Sequence, residues 1–387
     1  MTLDCDVIVV GGGVIGLSSA YQLCKRGHKV ILLEQAPATN NITGGSHGDS
    51  RIIRHIHSDP AHLPMAIASY KQWRTLEHEV GSKLFENHGL LWLSDKEGAE
   101  RRAKLLQQHN APHQVLDSKE LKERYSHFDY NDNWWSVLDH TAGTIYARKC
   151  VEALTNYITS HGVTIKYNQK VTKWTSQTNQ VTVSTTTDTF TAKSLVFATG
   201  AWLSTVVPNL AVKVTPGLVG VFFWDIEKEG QGLYNPQNKA PNLIISDFEE
   251  EKELFMIPEA DYKNKVKFGL HLAEEFDILK KERPVHLLEK CKKAAAEHIK
   301  KHFKHIKTTP SIETTCLYAN TDDRSYLIDY HPQHRNVVLA GGFSGSGFKF
   351  GPVVGEIVSD LVENKRTRFN ITSFNVNRVI DYSKAKL

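Results

Sequence analysis

Cysteine is scarce and odd in number in this chain: five in 387 residues, at Cys5, Cys24, Cys150, Cys291 and Cys316. No two stand at C-x-x-C spacing, which excludes a disulfide scaffold and a tetrahedral zinc site and indicates a reducing compartment. No apolar run approaches the ~18 residues that a membrane-crossing helix needs. No secretory leader is expected either, because the opening MTLDCDVIVVGGG places Asp4 and Asp6 where a leader carries basic residues. Neither charge sign dominates: 47 Lys and Arg against 43 Asp and Glu leave a net +4, too little and too dispersed for a nucleic-acid surface. Internal repeats, low-complexity tracts and clustered metal ligands are also lacking. What survives these exclusions is a globular chain of two or three domains, or two interwoven ones. Its 40% hydrophobic content is enough for a core of its own.

What is present starts at the front. The stretch DVIVVGGGVIGL, residues 6–17, joins the apolar run Val7–Val10 to Gly11, Gly13 and Gly16 in G-x-G-x-x-G spacing. The run predicts a buried parallel strand. An amphipathic helix is expected over Ser18–Arg26, ended by Gly27, and a second strand over Lys29–Leu33, ending at Glu34. Gly11 permits the tight turn, Gly13 lets backbone approach a pyrophosphate at the helix's positive end, and Gly16 lets helix and strand pack closely. Val14 and Ile15 belong to the same contact set. Glu34 is placed to take ribose hydroxyls, which argues for FAD or NAD over NADP.

Two later stretches, Leu195–Ala201 and Asn336–Gly342, also look like short buried strands running into glycine turns. Gly200 in the first, and Val171 before it, are expected beside the nucleotide. If both strands join the first sheet, the dinucleotide domain is discontinuous, which favours a flavoprotein over a simple NAD dehydrogenase. The expected fold is α/β (α+β overall). A discontinuous Rossmann-like FAD domain over 1–85, 145–210 and 315–387 is joined to a substrate domain over 86–144 and 211–314 with a mixed or antiparallel sheet. The stretch PVHLLEKCKKAAAEHIKKHFKHIK reads as a basic amphipathic helix with a solvated face.

Four further motifs are more specific: GGSHGDSRIIR at 44–54, KFGLH at 267–271, CLYANTDD from Cys316, and GGFSGSGFKF at 341–350. Together with the glycine motif and Glu34, they make the chain resemble the monomeric sarcosine oxidase family, which includes N-methyltryptophan oxidase and peroxisomal sarcosine/pipecolate oxidase. The resemblance runs from Val7 to the 370s. It implies FAD bound covalently through Cys316, a thiolate being a good nucleophile toward an electron-poor flavin; without it, a packed core cysteine reads as well. It implies a carboxylate clamp of Arg54 and Lys349, one a bidentate fork and the other a point charge. Lys267 would work on molecular oxygen as a fixed cation, although Lys263 and Lys265 share its period and a solvated face fits all three. His271 would line the substrate pocket, with Tyr318 near the carboxylate and Arg51 near the flavin. Ser46 and His47 would form a loop over the flavin ring. Gly345, Ser346 and Gly347, with the helix after Lys349, would face the flavin's far end with a positive potential.

The chain departs from the family at three places. Ser346 and Ser46 stand where histidines occur, and Phe255 where a tyrosine precedes the proline by three. A bulkier or more apolar secondary amine, such as a cyclic amino acid, is therefore as good a candidate as sarcosine. The expected reaction is oxidation of a secondary-amine amino acid (sarcosine, another N-methyl amino acid or L-pipecolate) by oxygen, giving an imine and hydrogen peroxide. The rivals are a flavin dehydrogenase that passes electrons to a carrier, and a non-catalytic flavin-binding protein. A monomer is expected, with no nucleic-acid or membrane partner. Ala385-Lys386-Leu387 varies the SKL address, implying a peroxisomal import receptor in a eukaryote and cytoplasm otherwise.

Overall fold

In the computed structural model the described residues are 3–38, 44–57, 62–280 and 283–380. The C-terminal tripeptide Ala385–Leu387 lies outside them.

Three sheets organise the chain. The first has eight strands and is built on Cys5–Val10. The 5–10 strand pairs in parallel with Val30–Leu33 on one side and Thr189–Phe197 on the other. The 189–197 strand pairs in parallel with His334–Gly341. The two late apolar stretches therefore join the first strand, and the sheet gathers its members from both ends of the chain. Parallel strands buried on both faces need continuous apolar sequence, and Val7 to Val10 are all buried.

The helix after the glycines runs Val14–Lys25, four residues earlier than its apolar period suggests. Gly13 is its N-cap, and the first N–H, that of Val14, donates to Ser46 Oγ at 3.0 Å. A cap supplied from a distant loop leaves no local signature of the Ser or Asp kind. This helix packs on Gly351–Val362, whose small residues allow close approach.

The second sheet has nine strands. Its backbone is the long antiparallel pair Thr215–Ile226 and Ile306–Asn320, extended through Lys265–Leu270, Lys252–Ile257 and Asn242–Asp247 to Leu90–Ser94. It is mixed, because 242–247 runs parallel to 90–94. The expected boundary at 314/315 falls inside the 306–320 strand, so one strand delivers Cys316 and Tyr318 from this sheet toward the first. A small third sheet joins Ser50–Ile53, Gly143–Tyr146 and Phe85–Asn87. The expected basic helix is His286–His302; it buries Cys291, Ala295, His298 and Ile299 against the second sheet and leaves its lysines outward.

Candidate active site

A cavity of about 400 Å³ runs between the two large sheets. At one end are Glu34, Gly13 and the start of the 14–25 helix; at the other are Cys316, Arg51 and Gly345. Val171 and Gly200 line its side. At the nucleotide end the loop is braced from within. Glu34 accepts the Gly12 N–H at 2.6 Å and the Ala36 N–H at 2.8 Å. Burial pushes its carboxyl up, and these two donors push it back down. Each carboxylate oxygen keeps a second lone pair for a hydroxyl donor. A Cβ on Gly16 would come within 1.9 Å of the Gly11 carbonyl, so only glycine lets helix and strand approach this closely. Thr199 lines the cavity with a buried hydroxyl that has no partner, as expected where a polar ligand completes the set. The donor set fits an adenine dinucleotide: a helix end with free N–H groups, a carboxylate at the strand end, and an unspent hydroxyl.

At the other end Arg51 acts as an internal clamp. Its guanidinium donates to the carbonyls of Ser50 at 2.7 Å, His47 at 2.5 Å and Gly45 at 3.2 Å, and lies 3.7 Å from Cys316 Sγ. Cys316 is 9% exposed and faces the cavity, so it is not sealed in a core. His47 bridges the Gly44 and Thr315 carbonyls, and burial lowers its pKa. Ser46 sits at the helix cap, nearer the nucleotide end than its expected place over the ring. Gly345, at φ +81°, lets backbone lie against Tyr318 and His271; a Cβ there would meet the Tyr318 ring at 2.5 Å. Ser346 Oγ meets Tyr326 Oη at 2.8 Å.

Tyr318 Oη and His271 Nδ1 are 2.9 Å apart. Tyr318 lines both the main cavity and a second one of about 270 Å³, which His271, Arg324 and Asp322 also line. Burial holds the imidazole below its usual pKa, with Arg54 and Lys349 adding to the effect and Glu253 opposing it. Asp49, five positions before Arg54, pairs with Arg148, and Arg54 itself forms no ion pair among the described residues. Instead its guanidinium lies 4.5 Å over the Trp92 ring, its Nη1 is buried without a partner, and burial pushes it down to about 10. Lys349 is buried and donates to the Ser346 carbonyl at 2.7 Å. Burial, with Arg54 nearby, holds it well below the usual lysine range.

The alternating lysines resolve three ways. Lys263 is exposed and Lys265 is ion-paired to Asp225, while Lys267 is buried. Lys267 and His271 do not meet. Lys267 turns to Ser50 and Asp261, and His271 to Tyr318. Sequence reasoning passed over Asp261, Trp92 and Thr199. Asp261 sits three residues past Pro258 in a loop without periodicity, and nothing local marks it.

An eight-stranded parallel-cored sheet with a glycine-rich βαβ front, opening onto a mixed sheet that brings cations and a histidine, defines a two-sheet flavin oxidoreductase. Residues 6–361 match the family described as FAD dependent oxidoreductase. Peroxisomal sarcosine oxidase of Homo sapiens is 30% identical over 99% of this chain and 98% of its own. Monomeric sarcosine oxidase of Bacillus sp. (strain NS-129) is 29% identical over 98% of each. Among solved structures, NikD, an unusual amino acid oxidase essential for nikkomycin biosynthesis, superposes with a TM-score of 0.83 at 20% identity, covering 98% of this chain and 100% of that one. L-proline dehydrogenase from P. horikoshii gives 0.82 at 19%, covering 98% of each; both likenesses show the fold alone. The chain belongs to the FAD-dependent oxidoreductases and, among them, to the sarcosine oxidase family.

Proposed function

We propose that this protein oxidises an amino acid carrying a secondary amine, using FAD and oxygen and releasing hydrogen peroxide. One observation supports the reading: two buried cations, Arg54 and Lys349, have no carboxylate partner among the described residues, and both act electrostatically on His271. An unpaired buried charge is costly, so a ligand carboxylate completes the site, held by the fork of Arg54 and the ammonium of Lys349. The same cations disfavour a positive charge on the substrate nitrogen, and so promote the neutral amine that oxidation requires. Bound FAD supplies the acceptor for two electrons and a hydrogen from the carbon beside that nitrogen.

Gly11, Gly13, Gly16 and the helix end they open would hold its pyrophosphate, and Glu34 its ribose. Val14, Ile15, Ser46, His47, Val171, Gly200 and Gly345–Gly347 line the remainder. Cys316, 3.7 Å from Arg51, would bond it covalently. Lys267 would serve oxygen. Phe255 offers no hydroxyl to the substrate and Ser346 no ring, which favours a larger or more apolar amine than sarcosine. The two large sheets would form a nucleotide lobe (1–85, 145–210, 315–387) and a substrate lobe (86–144, 211–314), with the 306–320 strand crossing between them. Import into peroxisomes through Ala385–Leu387 fits the name of the human relative, and a monomer fits that of the Bacillus relative.

The test is direct. Acid precipitation of the purified protein leaves yellow flavin in the pellet, and Cys316→Ala releases it to the supernatant. Peroxide release is then read with sarcosine, N-methyl amino acids, proline and pipecolate. Flavin that no amine on the panel reduces would sink the reading. Reduction without peroxide would favour the dehydrogenase.

A further inference from the structure

Lys267 is not a bare cation. Its ammonium has three protons and finds three acceptors: the Asp261 carboxylate, Ser50 Oγ at 2.6 Å and the Ser50 carbonyl at 3.3 Å. The two charged side chains are 7% and 3% exposed. Ser50 ties the group together, because its hydroxyl also donates to Asp261 Oδ2 at 2.8 Å and its carbonyl also takes Arg51 Nη1 at 2.7 Å. A continuous polar chain therefore runs from Asp261 through Lys267 and Ser50 to Arg51 and the Cys316 sulfur. Asp261 Oδ1 is buried without a partner.

We propose that Asp261 is a positioning residue: it pins Lys267 as a fixed, permanently charged ammonium for the oxygen-dependent half of the reaction. The inference rests on Lys267 serving oxygen. A lysine this deep tends to lose its proton, since burial penalises the charged form. Arg51 adds to that tendency, and Lys267 in turn helps to lower the pKa of His47. Asp261 is the anion that opposes it, and Tyr146 faces Asp261 from the third sheet. With all three protons taken, Lys267 has no donor to offer a ligand. It acts through its charge and its position, and a preorganised charge costs nothing to reorient when negative charge develops on oxygen.

Without Asp261 the lysine pKa falls further, so the cation is present at low pH and lost as pH rises through the lowered value. The holoenzyme carrying Asp261→Asn is reduced anaerobically and mixed with oxygenated buffer, and reoxidation is followed by flavin absorbance from pH 6 to 10. The expected result is an oxygen rate about tenfold to a hundredfold lower, with a decline toward high pH that the unaltered enzyme lacks. Reduction by substrate should change less than about twofold. Asp261→Glu should recover part of the rate. Lys267→Met is measured in parallel. If Lys267→Met is slow and Asp261→Asn matches the unaltered enzyme in rate and pH profile, the role of Asp261 is overturned and that of Lys267 stands. If Lys267→Met reacts normally with oxygen, the reading beneath falls as well. A readout independent of turnover covers an unstable variant. The ¹H–¹⁵N signal of the Lys267 ammonium in the unaltered holoprotein, assigned by its loss in Lys267→Met, should persist at pH 9; its absence there overturns the proposal.

Discussion

Lys349 and Arg54 sit in surroundings unlike those of surface cations, and a pH dependence follows from them. Lys349 is charged below its lowered pKa and neutral above it. A simple carboxylate without an amine, such as acetate, therefore binds more tightly at low pH. Its Kd should rise by up to about tenfold per pH unit once pH passes that value. Lys349→Met should flatten the profile while Arg54 retains weak binding; a spectral titration of the flavin at several pH values reads both. These roles were legible only through motifs. Composition and period select neither Arg54 nor Lys349, and by period alone Lys267 matches Lys263 and Lys265; the motif KFGLH singles it out, and burial agrees. Asp261 was invisible because its importance arises from meeting Lys267 in space, not from any local pattern.

Helices and strands explain why those side chains stay in place. The His62–Val80 helix sends Trp73 Nε1 to the Lys349 carbonyl at 2.9 Å, with Ser69 Oγ on the same oxygen. The short turn Phe348–Phe350 is thus fixed from behind, by an element whose sequence gives no hint of the site. Trp73→Phe keeps an aromatic ring but removes the indole N–H and part of a fully buried side chain. It should cost about 2–4 kcal/mol of stability from the lost hydrogen bond and the cavity together, seen as a lower urea midpoint, and weaken carboxylate binding roughly fivefold through the loosened turn. Element identity was easier to read than element limits. The strands at 5–10, 189–197 and 334–341 each finish in a short apolar run that leads to glycine, and the sequence marks that part of them. The start of the first helix at Val14 depends on a serine 32 residues away, which no local rule can supply.

The molecule as a whole closes its nucleotide sheet with its last long strand. Leu195 lies between Ile8, made early, and Val337, made late. Gly345 and the helix Gly351–Val362, which back the cavity, come later still. This order governs manufacture as well as shape. At about 5–20 residues per second of synthesis, the 189–197 strand waits on the order of ten seconds for its second neighbour, exposing apolar Leu195, Val196 and Phe197 in the interval. A nascent chain halted at residue 330 should emerge without flavin and be cut readily by protease, whereas the full chain retains flavin and resists. Gel filtration with absorbance at the flavin band, alongside limited proteolysis, distinguishes the two. On this topology the apolar 195–197 edge stays unpaired until residues 334–341 have been made, so the nucleotide site is assembled late in synthesis rather than domain by domain.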